Sequence, residues 1–147
     1  MILVLSDEER KARAKEIRDR PENKAKQKER QSRPEVKLKD KERRDSERLK
    51  VLQYYSKRLS NSDIPCCQCC EENFHIDFLT IDHITGRKQM DSELELVKLG
   101  YSSSLRDLRL TLWIIENNFP KGFQVLCQNC NFAKGMVKNN NKCPHEK

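Results

Sequence analysis

CQCCEENFHIDFLTIDH, residues Cys67–His83, decides how this chain is read, and CQNCN, residues Cys127–Asn131, completes the reading. Each stretch holds a Cys-x-x-Cys pair, Cys67/Cys70 and Cys127/Cys130. Such a pair places two thiolates on one tight turn, and two turns together supply the four soft ligands of a closed tetrahedral zinc site. One pair alone is a weak signal, but two pairs that each border a short apolar run point to a metal. Cys66 and Cys69 offer an alternative first pair. Between the pairs stands Asp82-His83, which joins a hard oxygen ligand for a divalent cation to an imidazole able to take a proton from water near neutral pH.

Local patterning places these residues on elements. Phe78, Thr80 and Asp82 alternate with Leu79, Ile81 and His83, the period of a strand, and FQVL at Phe123–Leu126 reads as the return strand. A helical stretch is expected over Asp91–Leu99. Ser104-x-x-Asp107 has the form of a capping box before a helix whose core face is Leu105, Leu108, Leu112 and Ile115, with Trp113 adding bulk. A short helix is expected from Asn131 to about Lys138.

Composition limits the rest. With 147 residues, 36% charged and 35% hydrophobic, the chain has room for one modest domain plus an arm, so its core must be small and stapled. The apolar start MILVL is too short for a signal peptide and lacks a basic flank. Seven cysteines therefore read as metal-bound thiolates in a reducing, intracellular compartment, cytoplasm or nucleoid, rather than as disulfides of a secreted protein. No run is long enough to span a membrane.

The net charge of +7 is concentrated near the start, where residues 7–50 hold 18 Lys/Arg against 12 Asp/Glu. A basic extension beside a small domain suits nucleic acid, because each phosphate neutralised releases counterions. A solvated charged helix gives the same composition. The segment repeats: RPENKAKQKERQS, Arg20–Ser32, is echoed by RPEVKLKDKERRD, Arg33–Asp45, with eight of 13 positions identical. Asp19-x-x-Glu22 and Ser32-x-x-Glu35 have the capping-box form, and Pro21 and Pro34 fall in first turns. Short helical rods, broken near each proline and marginal alone, are expected. From Asp45 on, Leu49, Leu52 and Tyr55, with Val51 and Tyr54 beside them, form a docking face. The expected organisation is a basic helical arm over 1–46 and a domain over 47–147, made of a helix at 47–59, a linker at 60–65 and a core at 66–147.

CQCCEE at Cys67–Glu72, FLTIDHITGRK at Phe78–Lys88, NNFPKGFQVLCQNCNFAKG at Asn117–Gly135 and the closing KCPH at Lys142–His145 resemble the HNH endonucleases, the Cys-containing branch of the ββα-metal nucleases. The resemblance spans about the last hundred residues. It implies a small α+β fold with a ββα-metal core, a β-hairpin holding FLTID and FQVLC, and a helix opening near Cys130. It also implies that Cys67, Cys70, Cys127 and Cys130 bind a structural Zn²⁺, that His83 is the general base, and that Asp82 and Asn131 hold Mg²⁺ or another catalytic divalent cation. His145 is a further candidate ligand. Many of these proteins carry an Asn or His nine residues before the last metal ligand to orient the base, and here that place falls on Gly122. A backbone carbonyl or Gln124 is expected to take over that task.

The function implied is metal-dependent hydrolysis of DNA, double-stranded by expectation, by a protein of phage or mobile-element type. Arg87, Lys88 and Lys134 are candidates for phosphate contact, with solvated surface positions as the plain alternative, and His75 is expected to be exposed. Two other classes compete: a non-catalytic zinc-stabilised DNA-binding protein with an eroded site, and a structural or interaction protein that uses the repeats as rods.

Overall fold

The breaks in the N-terminal helices follow the prolines. In the computed structural model, which describes residues 6–140 and 142–145, α1 (Asp7–Asp19), α2 (Pro21–Ser32) and α3 (Pro34–Ser60) are separated only by Arg20 and Arg33. The MILVL start lies outside the described residues. Both arginines are extended, with ψ of 135° and 133°, because a proline ring crowds the preceding residue out of the helical region. The repeat therefore sets helix length.

The capping boxes expected at Asp19/Glu22 and Ser32/Glu35 do not form. The pre-proline break makes Arg20 the N-cap of α2, with no side-chain cap. Asp19 instead lies 3.5 Å from Lys24, and Ser32 donates to the Glu29 carbonyl at 2.6 Å. A reciprocal box caps α1, where Ser6 Oγ accepts from Glu9 N and Glu9 Oε2 accepts from Ser6 N.

Two compact units are distinguished, Met1–Arg43 and Arg44–Lys147. The division falls inside α3, a little before the boundary expected between residues 46 and 47. The helix expected at 47–59 is the C-terminal part of this continuous α3. There Val51, Leu52, Tyr55 and Ser56 form a buried stripe, with Leu49 half-buried beside it. Polar contacts tie the stripe to the rest of the second unit. Tyr55 Oη donates to the Pro120 carbonyl at 2.6 Å, and Ser56 Oγ accepts from Cys66 N at 3.0 Å. The Arg48 guanidinium donates to the carbonyls of Ile76 and Leu79 at 3.1 and 2.6 Å, which anchors the entry to the sheet.

The sheet has two antiparallel strands, β1 (Leu79–His83) and β2 (Phe123–Cys127), registered from Leu79 opposite Cys127 to His83 opposite Phe123. Between them, the helix expected over 91–99 divides into a 3-10 turn at Gln89–Ser92 and α4 (Leu94–Lys98). The next helix, α5, runs Asp107–Glu116 with Arg106 as an N-cap that makes no side-chain bond. Ser104 turns to Ser102 instead, so that expected box is absent too. With the helix starting at Asp107, Leu105 precedes it, and the buried stripe is Leu110, Trp113 and Ile114. Leu108, Leu112 and Ile115 are half-buried. The last helix, α6 (Gln128–Gly135), begins directly after β2, earlier than the expected Asn131.

Leu79, Phe123, Val125, Leu126, Ile114 and Met90 are almost fully buried in one cluster with the α3 stripe and the cysteines. Each large apolar side chain of that kind contributes about 1.5–3 kcal/mol relative to exposure. Trp113 and Tyr101 meet edge to face at 5.5 Å, and both pack on Phe123. The protein is thus a small α+β fold, mostly helical, with a two-stranded antiparallel sheet and a cysteine cluster. Among the described residues no helix is long and apolar enough to cross a membrane.

Candidate metal centre and adjoining pocket

Backbone geometry folds each Cys pair into a turn. Cys67 N donates to the Glu72 carbonyl and Glu71 N to the Cys67 carbonyl, while Gln68 N donates to Val125 and pins the turn against β2. Cys127 ends β2 and is also the N-cap of α6, its sulfur accepting from Cys130 N at 3.4 Å. Ligand atoms of Cys67, Cys70, Cys127 and Cys130 all lie within 4.8 Å of one another, and Cys70 Sγ is 3.7 Å from Cys127 Sγ. Zinc–sulfur bonds of about 2.3 Å at tetrahedral angles require sulfurs about 3.8 Å apart. The donor set therefore fits a metal such as zinc. Burial opposes ionisation of Cys127, but bonds from the Cys130 backbone and the neighbouring thiols outweigh it and lower its pKa.

His145 adjoins this cluster. Its Nδ1 is 3.5 Å from Cys130 Sγ and 3.7 Å from Cys143 Sγ. Cys66, the alternative ligand, is buried elsewhere, its backbone N bound to Ser56.

A cavity of about 700 Å³ is lined by Asp82, His83, Arg87, Lys88, Asn131 and Lys134, among others. The sheet and α6 bring these residues together across long sequence separations. Asp82 is buried, and both of its recorded side-chain bonds fall on Oδ2: Gln124 Nε2 donates at 2.7 Å and Lys134 Nζ at 2.5 Å. Gln124 lies opposite Asp82 in the register, so it holds the carboxylate rather than the imidazole. Lys134 is 5% exposed and also donates to the His83 carbonyl at 2.8 Å. It is therefore part of the pocket wall, not a solvated surface lysine. Arg87 is half-buried and Lys88 exposed. Asn131 donates from Nδ2 to Thr80 Oγ1 at 3.0 Å.

His83 rests on aromatic rings, 5.2 Å from Phe123 and 6.0 Å from Tyr101 by centroid. Its Nε2 is buried without a hydrogen-bond partner. Burial lowers its pKa below the ordinary histidine value, Arg87 and Lys134 add to the effect, and Asp82 opposes it. The ring is therefore neutral at neutral pH, the form a general base needs. Gly122 does not reach it. That glycine has φ of +106°, where a side chain is strained, and an added Cβ would lie 2.9 Å from Met90 Cε. Its carbonyl accepts from Ile84 N. His75 is half exposed and pairs with Asp77.

A hard divalent cation takes several oxygen ligands. The pocket wall offers Asp82, Asn131 and, from the start of α5, Asp107. These donors suit such an ion in kind, with the Asp82 carboxylate shared with Lys134. Arg106 and the aromatic seat of His83 had no motif in the sequence, and Asp107 was read there only as the end of a capping box. Gln124 and Lys134 were both named from the sequence but for other roles; the register places Gln124 opposite Asp82, and Lys134 stands one turn after Asn131 on the same helix face. Comparison with protein-family models, with curated proteins and with solved structures gave no match.

Proposed function

We propose that the chain is an HNH-type endonuclease that hydrolyses DNA phosphodiester bonds, with a ββα-metal core formed by β1, β2 and α6 and a structural zinc at Cys67, Cys70, Cys127 and Cys130. The observation that carries this reading is the single cavity wall shared by Asp82, His83 and Asn131. His83, neutral and on the pocket wall, accepts a proton from the attacking water. Asp82 and Asn131 would hold Mg²⁺ or a similar ion, which when bound supplies Lewis-acid stabilisation of charge on the phosphoryl oxygens. Arg87 and Lys88 attract the phosphate. Lys134 fixes Asp82 against the His83 carbonyl and keeps the strand end in place. Phe123 and Tyr101 orient the base ring, the task expected of the residue that Gly122 replaces.

A second reading is favoured by one contact. Lys134 already neutralises Asp82 in a buried pair, and a chain that never binds a catalytic cation would be built in this way. The protein would then be a zinc-stabilised DNA-binding module.

The test is incubation of zinc-loaded protein with supercoiled plasmid and Mg²⁺ or Mn²⁺, beside a His83→Ala variant shown to fold. Metal-dependent nicking or linearisation, reduced at least about 100-fold in the variant, is expected. Because His83 titrates low, the acid limb of the pH–rate profile should fall below about 6.5, the ordinary histidine value. Salt-sensitive DNA binding without cleavage by either protein would select the second reading.

A further inference from the structure

The Cys-x-x-Cys pairs leave donors over. Cys69, Cys130, Cys143 and His145 form a second group whose ligand atoms also lie within 4.8 Å of one another, and Cys130 belongs to both groups. We propose that the protein binds two zinc ions joined by the Cys130 thiolate, with Cys67, Cys70 and Cys127 completing one tetrahedron and Cys69, Cys143 and His145 the other. This goes beyond the nuclease reading and does not depend on it.

Three observations converge. The first is donor number: the two groups together contain seven different residues, and two tetrahedra sharing one corner need seven. The second is spacing. Zinc–sulfur bonds of about 2.3 Å and zinc–nitrogen bonds of about 2.05 Å give tetrahedral edges of about 3.6 Å between sulfur and nitrogen. His145 Nδ1 stands 3.5 Å from Cys130 Sγ and 3.7 Å from Cys143 Sγ. The third is placement. Cys143 lies in an irregular segment beyond the last helical turn, yet it is 2% exposed, and Cys69 projects from the same turn as Cys67 and Cys70. A buried thiol in such a segment can be a small apolar filler. A filler does not require an imidazole nitrogen and two further thiols at ligand distance.

The chemistry is balanced. Cys130, already a thiolate in the first sphere, has lone pairs for a second bond. Entry of the second ion displaces the protons of the Cys69 and Cys143 thiols into solvent and uses neutral His145 at Nδ1, so no oxidant or reductant is involved. The ion would close the segment 142–145 onto the α6 N-terminus.

The test is zinc content of the full chain, purified with zinc and freed of loose metal by gel filtration. Two zinc per chain are expected, falling to one in Cys143→Ser and in His145→Ala, both of which leave the first four ligands intact. His145→Cys should retain two. In cadmium-113 NMR of the cadmium-loaded protein, two resonances should show coupling to each other through the shared sulfur, and only one should survive in Cys143→Ser. One zinc per chain in the wild-type protein, a Cys69–Cys143 disulfide in the metal-loaded protein, or two cadmium signals without mutual coupling would each overturn the proposal. No bound zinc at all would overturn it together with the first site, whereas one zinc per chain would overturn it and leave the first site standing.

Discussion

Residues 6–43 and the unit that follows are both rich in helix, but they are held by different means. Along 6–43 no residue is buried, and the helices rest on local rules: prolines that break, a capping box, and exposed pairs such as Arg20–Glu16 and Arg33–Glu29. Such pairs contribute little individually. In Arg44–Lys147 the elements after α3 are shorter, with strands of five residues and an α6 of eight, and none of these would persist alone. They are fixed by contacts distant in sequence: Arg48 on the Ile76 and Leu79 carbonyls, Phe123 among aromatic rings, and the cysteines. Local periodicity makes a helix readable, whereas only tertiary burial makes it durable.

Metal removal should separate the two regions most strongly. Structural zinc contributes on the order of 10 kcal/mol or more in small domains at neutral pH. Stripping it from the loaded protein is expected to abolish the near-ultraviolet signal of Trp113 and collapse the chemical-shift dispersion of 44–147, with the resonances of 6–43 unmoved. A signal from Trp113 that survives chelation would mean that the apolar cluster suffices by itself.

Core truncation comes next. Phe123→Ala should cost about 3–5 kcal/mol in urea unfolding. Leu38→Ala, at a side chain 58% exposed in α3, should stay within about 0.5 kcal/mol. Equal costs would erase the contrast between the regions. An effect smaller than that of Phe123→Ala concerns a single backbone position. Gly122→Asn should lose about 1–3 kcal/mol through its positive φ, without the gain in cleavage that an eroded site regaining its missing residue would show.

The legible parts of the sequence were those whose physics is local or whose spacing is chemical. Pro21 and Pro34 set the helix breaks, and the alternation at Phe78–His83 located β1 to within one residue. The two Cys-x-x-Cys pairs identified four donors that the fold does gather. Capping boxes misled at Asp19, Ser32 and Ser104, because the N-cap of α2 was decided by the pre-proline residue and that of α5 by the turn through Ser102. The core face of α5 shifted with its start. The gathering of Cys69, Cys143 and His145, the aromatic seat of His83 and the Lys134–Asp82 pair depend on how distant segments meet, and no window of sequence contains that information.

Cys127 is at once the last residue of β2 and the cap of α6, so strand and helix meet with no slack between them. Each residue of an α-helix advances about 100° around its axis. One residue inserted after Cys127 would therefore turn Asn131 and Lys134 away from the pocket while also pulling Cys130 out of the cysteine group. The same insertion at Arg20 would merely lengthen a hinge between solvent-facing helices. The strand–helix joint acts as a timing mark for the whole centre, and it is where changes in chain length should be least tolerated.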